Sequence, residues 1–397
     1  MRPIILCLSL SLLALASATA VASERAPARD GARLIAGLKP AEGSPLAKFT
    51  RNAGWRQYAR QMDYIWKSYE SRTLDPIKTW VAAELPDAHP PTIFYPFSGP
   101  DILNAVTFFP RGRVFLLFGL EQVGRIPADP GDTPEDIVEG VTALRETLDH
   151  LIGLNFFRTA SMKTEVGAHP YSGVASLLMF FLTRTGHDIL GARYIKLDDE
   201  GQPVEVKAHG ARAVEITFHG PDDAPDAPAR VVYYFRGDIS DGGFAQNKGV
   251  QALINRQGPM VTFLKAASYL MYETAFDDIR ATVLARSALI VSEASGVPFH
   301  ALNTPRFAIT LYGSYKGPVD VFEGKCQPDL AKAVHEGSKG RLPFSFGYSH
   351  LPGTSHLIVA RRAADAPIEM PIFDESVRAG QRTHCDEEGK MSVSQSK

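Results

Sequence analysis

The stretch that most restricts the fold is Thr92 to Glu121, TIFYPFSGPDILNAVTFFPRGRVFLLFGLE. Thr92 to Phe97 is a β-branched and aromatic run entered through His89-Pro90-Pro91, and Val114 to Phe118 is an uninterrupted apolar run between Arg113 and Gly119. Short apolar runs without polar alternation, bounded by turn residues, read as strands buried on both faces. Such strands belong in a parallel sheet covered by helices, and Asp101 to Phe109 has the length of a tight crossover between them. The unit is therefore expected to be β-α-β. Its first turn holds Ser98-Gly99-Pro100-Asp101. An acid, Glu121, follows the second strand after roughly twenty residues, the spacing at which nucleoside-binding α/β folds place a ribose-contacting carboxylate.

The N terminus carries a different signal. Met1-Arg2 supplies a short positive region, Ile4 to Ala16 an apolar core, and Ala18-Thr19-Ala20 or Ala20-Val21-Ala22 a small-x-small cleavage site. This is the pattern of a secretory signal peptide. A retained anchor is the competing reading, but the apolar stretch is shorter than the roughly 20 residues a spanning helix needs, and polar Ser23-Glu24-Arg25 follows it. Cys7 lies inside the apolar core and not at a cleavage junction, so a lipid-anchored mature terminus is not expected. The expected location is periplasmic or secreted, with no membrane span after cleavage.

The chain divides on composition into a signal peptide (1–22), a flexible segment (23–44), an α/β core (45–300), an antiparallel β extension (301–373) and a polar tail (374–397). A formal charge of −2 gives no bulk attraction to nucleic acid or an anionic membrane. The mature chain keeps Cys326 and Cys385. In an oxidising compartment such an even pair invites a disulfide tying the tail to the body, the alternative being two unrelated thiols. Neither has a second Cys or a His at zinc-ligand spacing, although His384 adjoins Cys385, so no metal site is expected.

Phe49, Trp55, Tyr58, Met62, Ile65, Trp66 and Tyr69 recur at three- and four-residue steps, which predicts an amphipathic helix whose aromatic stripe packs on the sheet rather than forming a ligand platform. Asp75-Pro76 starts a second helix, to Leu85, with proline in its first turn. Thr133-Pro134-Glu135-Asp136 opens another. Ser172 to Thr183 reads as a core helix with His169 at its entrance, where backbone donors could receive an anion or the histidine could simply cap. Ala192 to Val206 reads as a hairpin, and Ala213 to His219 pairs with Arg230 to Phe235 across the acidic, proline-rich 220–228 connection. After Val231 to Phe235 comes a polar glycine loop with Asp238, Ser240 and Asp241, either an Asp-Gly turn or a ligand loop facing Ser98 to Asp101. Met260 to Tyr272 is an apolar strand or helix carrying Lys265, Ser268 and Tyr269. Phe276 to Arg286 is a helix feeding a buried strand, Ala288 to Val291, which ends at Glu293. Arg306 to Tyr315, Val319 to Phe322, Leu342 to Tyr348 and Ser355 to Arg361 read as short strands, with a helix at Pro328 to Glu336.

Two resemblances bear on this chain. Its mature part resembles a set of exported bacterial proteins sharing YPFSGPD (Tyr95 to Asp101), an FGLE-like strand (Phe118 to Glu121) and a YYFRGDIS-like segment (Tyr233 to Ser240). That resemblance implies a compartment and no activity. Separately, Phe94 to Glu121 is similar in order to the first β-α-β of Rossmann-like methyltransferases, with Ser98 to Asp101 in place of their glycine motif and Glu121 in place of their ribose acid. The sequence departs from them in having one glycine there, with bulky Pro96 and Phe97 nearby, and an exported protein has little access to S-adenosylmethionine. Nucleophile-elbow, His-Glu-x-x-His and phosphate-loop patterns are all missing from the sequence. A Ser98, His169 and Asp238 hydrolytic triad and an Asp101/Glu121 glycosidase pair are alternatives that no spacing selects.

The expected fold is thus α/β, a Rossmann-like mostly parallel sheet with an N-terminal helical layer and a C-terminal antiparallel extension. Ser98, Gly99, Asp101, Glu121, Asp238, Ser240, Asp241 and Glu293 are its candidate ligand-binding residues. The partner expected is a small polar ligand or an envelope component. No catalytic residue or cofactor is named by the sequence.

Overall fold

In the computed structural model the described residues are 27–88, 91–127, 133–154, 171, 173–348, 352–368, 384–385 and 391–392. The strands of the main sheet are β1 (Thr92–Tyr95), β2 (Val114–Gly119), β3 (Asp188–Leu197), β4 (Pro203–Glu205), β5 (Ala213–His219), β6 (Arg230–Arg236), β7 (Met260–Leu264), β8 (Ser287–Ser292), β9 (Phe307–Gly313) and β10 (His356–Arg362). They form one ten-stranded sheet in the order β4-β3-β5-β6-β2-β1-β7-β8-β10-β9. The five central strands, β6-β2-β1-β7-β8, are parallel, and the expected β-α-β unit is there, with Tyr95 opposite Leu117 and the helix Ile102–Phe108 between the strands. Both wings are antiparallel: β5, β3 and β4 beyond β6, and β10 and β9 beyond β8.

The α/β class stands, but the expectation of a mostly parallel sheet is corrected, since four of nine pairings are parallel and five antiparallel. Beyond β6 the cause is local: the 220–228 connection returns the chain onto its own neighbour as a hairpin, and hairpins can pair strands in no other sense.

Central strands are buried on both faces, which is why they read as unbroken apolar runs. In β1, Ile93 and Tyr95 enter one core while Phe94 enters the other. The first face is covered by the helices Ala53–Tyr69, Asp75–Glu84, Ile102–Phe108 and Val174–Arg184, and the second by Lys248–Arg256, Asp277–Arg286 and Pro328–Gly337. The aromatic stripe is core: Trp55, Tyr58, Met62, Trp66 and Tyr69 are all buried. Asn52 caps that helix, accepting the Gly54 N–H at 2.7 Å. Val174–Arg184 is buried almost throughout, and among the described residues no helix is long and apolar enough to cross a membrane.

Several local expectations change. Residues 27–35, expected to be flexible, form a helix whose Leu34 and Ile35 are buried. Trp55 Nε1 donates to the Leu34 carbonyl at 3.1 Å, and the Tyr58 hydroxyl donates to that of Ile35, so the large residues of the following helix hold this turn. Val319 to Phe322 is not a strand but a 3-10 turn, Asp320–Phe322. Leu342 to Tyr348 forms no strand either. Pro343 has no N–H for a ladder, and the segment attaches through buried Leu342, Phe344 and Phe346 instead. These rings, like Tyr312, fill the core. The expected Cys326–Cys385 bond falls outside the described side chains, because that of Cys385 is not among them. The signal peptide and His169 also lie outside the described residues.

Candidate functional site at the carboxyl edge of the parallel strands

Because β1, β2, β6, β7 and β8 run the same way, the loops that follow them leave one edge of the sheet. The loops that carry the candidate ligand-binding residues, after β1, β2, β6 and β8, are on that edge. A fifth, 265–269 after β7, joins them, where the sequence reads as a continuous strand or helix. The chain leaves β1 into a helix on one face, with Ile102 and Ala105 in the first core, and leaves β7 toward a helix on the other, with Ile279 and Val283 in the second. Helices diverging to opposite faces are the arrangement that leaves a crevice at the strand ends of doubly wound sheets; here the ends of β1 and β7 are bridged by Tyr95 and Asp101, both of which bond Lys265.

The loop after β1 is bolted to β2. Ser98 is buried, its Oγ donates to the Phe118 carbonyl at 3.1 Å and accepts the Phe118 N–H at 3.0 Å, and the Gly99 N–H reaches the same carbonyl at 3.0 Å. Gly99 has φ +50°, where a Cβ is strained. Its open side faces Glu121: an ideal Cβ on Gly99 would lie 3.5 Å from Glu121 Oε2, and one on Gly119 only 2.3 Å from it. Glu121 is 6% exposed. Its side chain is paired with the Tyr234 hydroxyl, which donates to Oε2 at 3.2 Å and to the Glu121 carbonyl at 2.9 Å. Burial, then the Glu121 charge, raises the Tyr234 phenol well above its ordinary range. Glu121 Oε1 has no donor among the described residues, so this carboxylate can accept a further hydrogen bond.

Asp101 is occupied. It caps the helix Ile102–Phe108, where Oδ1 accepts the Asn104 N–H at 3.1 Å and Asn104 Nδ2 at 2.8 Å. Oδ2 accepts the Tyr95 hydroxyl at 3.1 Å and Lys265 Nζ at 3.3 Å. The Asp101 and Lys265 side chains are 3% and 1% exposed, so the pair is sealed from water. Burial pulls the Lys265 ammonium below its usual range and Asp101 opposes that shift. Lys265, which the sequence carries close to Ser268 and Tyr269, meets the charge of Asp101.

Asp238 and Ser240 form a local turn, Ser240 N–H and Oγ both reaching the Asp238 carboxylate at 2.8 Å. Asp241 accepts the Asp278 N–H at 2.9 Å, tying this loop to the first turn of the helix Asp277–Arg286. Glu293 lies two strands from β1, at the end of β8. The eight candidate residues therefore share an edge but form separate groups; of these, Gly99 with Glu121 is the one that joins the glycine turn after β1 to a buried acid. The entrance to the helix Val174–Arg184, read as a possible anion site, is filled: the Val174 and Ala175 N–H groups go to the Gln122 and Val123 carbonyls. Tyr234 and the left-handed backbone of 266–269 were missed. Tyr234 sits in an all-apolar run that gives no hint of its partner, and nothing in an Ala-Ala-Ser-Tyr string announces positive φ.

No family model, curated protein or solved structure matches the chain.

Proposed function

We propose that this is an exported protein that binds a small polar ligand at the carboxyl edge of its parallel strands, between the loops after β1 and β7, with Glu121 as the recognising acid. The observation that carries the reading is the strand order. Numbered along the chain, the parallel strands lie in the order 3-2-1-4-5, and doubly wound sheets of that order take ligands where the order reverses. Here that point lies between β1 and β7; Gly99 is in the loop after β1, and Glu121, which faces it, follows the neighbouring β2. A buried carboxylate with an open oxygen selects hydrogen-bond donors such as sugar or ribose hydroxyls.

A second reading, an enzyme of Rossmann-like methyltransferase ancestry, is favoured by the rest of the sheet. With β10 inserted antiparallel between β8 and β9, the sheet continues 3-2-1-4-5-7-6, which resembles the sheet of those enzymes. A hydrolase built on Ser98 is supported less, because its hydroxyl is already bonded at both ends. Export would also place Cys326 and Cys385 where a disulfide can form.

The test is a thermal-shift panel on the purified mature protein with nucleosides, S-adenosylmethionine, sugars, peptidoglycan fragments and divalent metals. One class should raise the melting temperature saturably. Glu121→Gln keeps an acceptor for Tyr234 but loses the charge, and should weaken binding roughly 10- to 100-fold, the worth of one charge-assisted hydrogen bond. A shift that survives this substitution would remove Glu121 from the site.

A further inference from the structure

The loop after β7 holds the most unusual backbone among the described residues. Ala266, Ser268 and Tyr269 have φ of 57°, 56° and 55°, the non-glycine residues in the left-handed region. Residues with a Cβ stay there only when their surroundings impose it. The loop after β8 does so. The Ala266 N–H goes to the Glu293 carboxylate, the Ala267 N–H to Ser295 Oγ at 2.8 Å, and the Tyr269 N–H to the Ser295 carbonyl at 2.9 Å. Ser295 Oγ in turn donates to Glu293 Oε1. From a third side the Tyr348 hydroxyl donates to the Ala266 carbonyl at 3.1 Å and lies 2.6 Å from Ser268 Oγ. Gly347 presses on the acid so closely that a Cβ there would be 2.6 Å from Glu293 Cγ.

We propose that Glu293 is a proton-operated clamp on the 265–269 loop: neutral, it keeps the loop in its left-handed form against the end of β7, and ionised, it drives the loop open to reach water. The groups facing it are Tyr95 from β1, Tyr269 and Tyr272 from the clamped loop and the turn after it, Tyr315 beyond β9, Tyr348, and His356 of β10, whose Nε2 is 3.9 Å from Oε2. Burial raises every one of these phenols. His356 Nε2 accepts the Ala294 N–H at 2.8 Å, and burial holds the ring down to about 4, so it is uncharged at neutral pH. Among the described residues no cation compensates Glu293, whose carboxyl burial pushes up to about 7 against the hydrogen bonds from Ser295 and Ala266. The sign follows from linkage. A clamped state with a raised value is favoured by the proton, and an open state with Glu293 in water returns to the ordinary 4.5, so opening grows between 4.5 and about 7 and levels off above. That this loop gates a ligand rests on the reading proposed above; the clamp itself does not.

Hydrogen exchange of the amides of 266–269, corrected for intrinsic chemistry and read without ligand, tests the clamp. From about pH 5 to about pH 7.5 protection in the wild type should fall by more than roughly tenfold. In Glu293→Gln it should stay level, and in Tyr348→Phe it should be lower throughout with the same pH profile. A level wild-type profile, or a Glu293→Gln profile that falls with the wild type, would overturn the proposal. Should Glu293→Gln not fold, the carboxyl titration of Glu293 in the wild type must track the loss of protection over the same window, and a different window overturns it equally. A silent ligand panel would leave these outcomes untouched.

Discussion

Asp101→Ala should lower the unfolding free energy by about 3 to 5 kcal/mol, the usual cost of leaving one member of a buried ion pair without its partner. The substitution removes the helix cap that Asn104 uses, the acceptor of Tyr95 and the counter-charge of Lys265 in one step. Replacing both charges, as in Asp101→Asn with Lys265→Met, should recover a large part of the loss, because no unpaired charge then remains in the core. Chemical denaturation of the three proteins measures this. A single alanine variant as stable as the wild type would mean that Asp101 does not hold the first loop to the end of β7, and would return it to the list of ligand groups.

Gly119→Ala should be the next most damaging, at about 1 to 3 kcal/mol for an overpacked core position. Its methyl group would lie 2.3 Å from Glu121 Oε2, 2.8 Å from the Tyr234 hydroxyl and 3.0 Å from the Gly99 backbone. The carboxylate and the phenol can swing away, but the Gly99 loop is fixed to Phe118, so relief comes by expelling Glu121. The expected result is a lower denaturation midpoint together with loss of whatever ligand response the wild type shows. A variant that binds as the wild type does would show that Glu121 is not needed where the structure places it.

How far the sequence led is clearest at particular residues. The parallel centre was readable because Thr92 to Tyr95 and Val114 to Phe118 must be buried on two faces, and only a covered sheet offers that. The hairpin of β5 and β6 was readable from its proline-rich turn. What could not be read was how many antiparallel strands would be added at each edge, by hairpins beyond β6 and through the long 314–355 connection beyond β8, since a short alternating run pairs equally well in either sense until its neighbours are known. The same limit applies to the site. The glycine turn and Glu121 announce themselves by spacing, whereas Asp101 and Lys265 are 164 residues apart and meet only because β1 and β7 are neighbours. Leu342 to Tyr348 misled because its alternation was real, yet Pro343 denied it a ladder.

The central claim is that a ligand sits where the strand order reverses, between β1 and β7. Hydrogen–deuterium exchange with and without the best ligand of the thermal-shift panel tests it most directly. The account predicts added protection in 97–101, 119–124 and 265–269, and little change in the β3-β4-β5 wing. Protection confined to that wing or to the N-terminal helices, with those three loops unchanged, would contradict it.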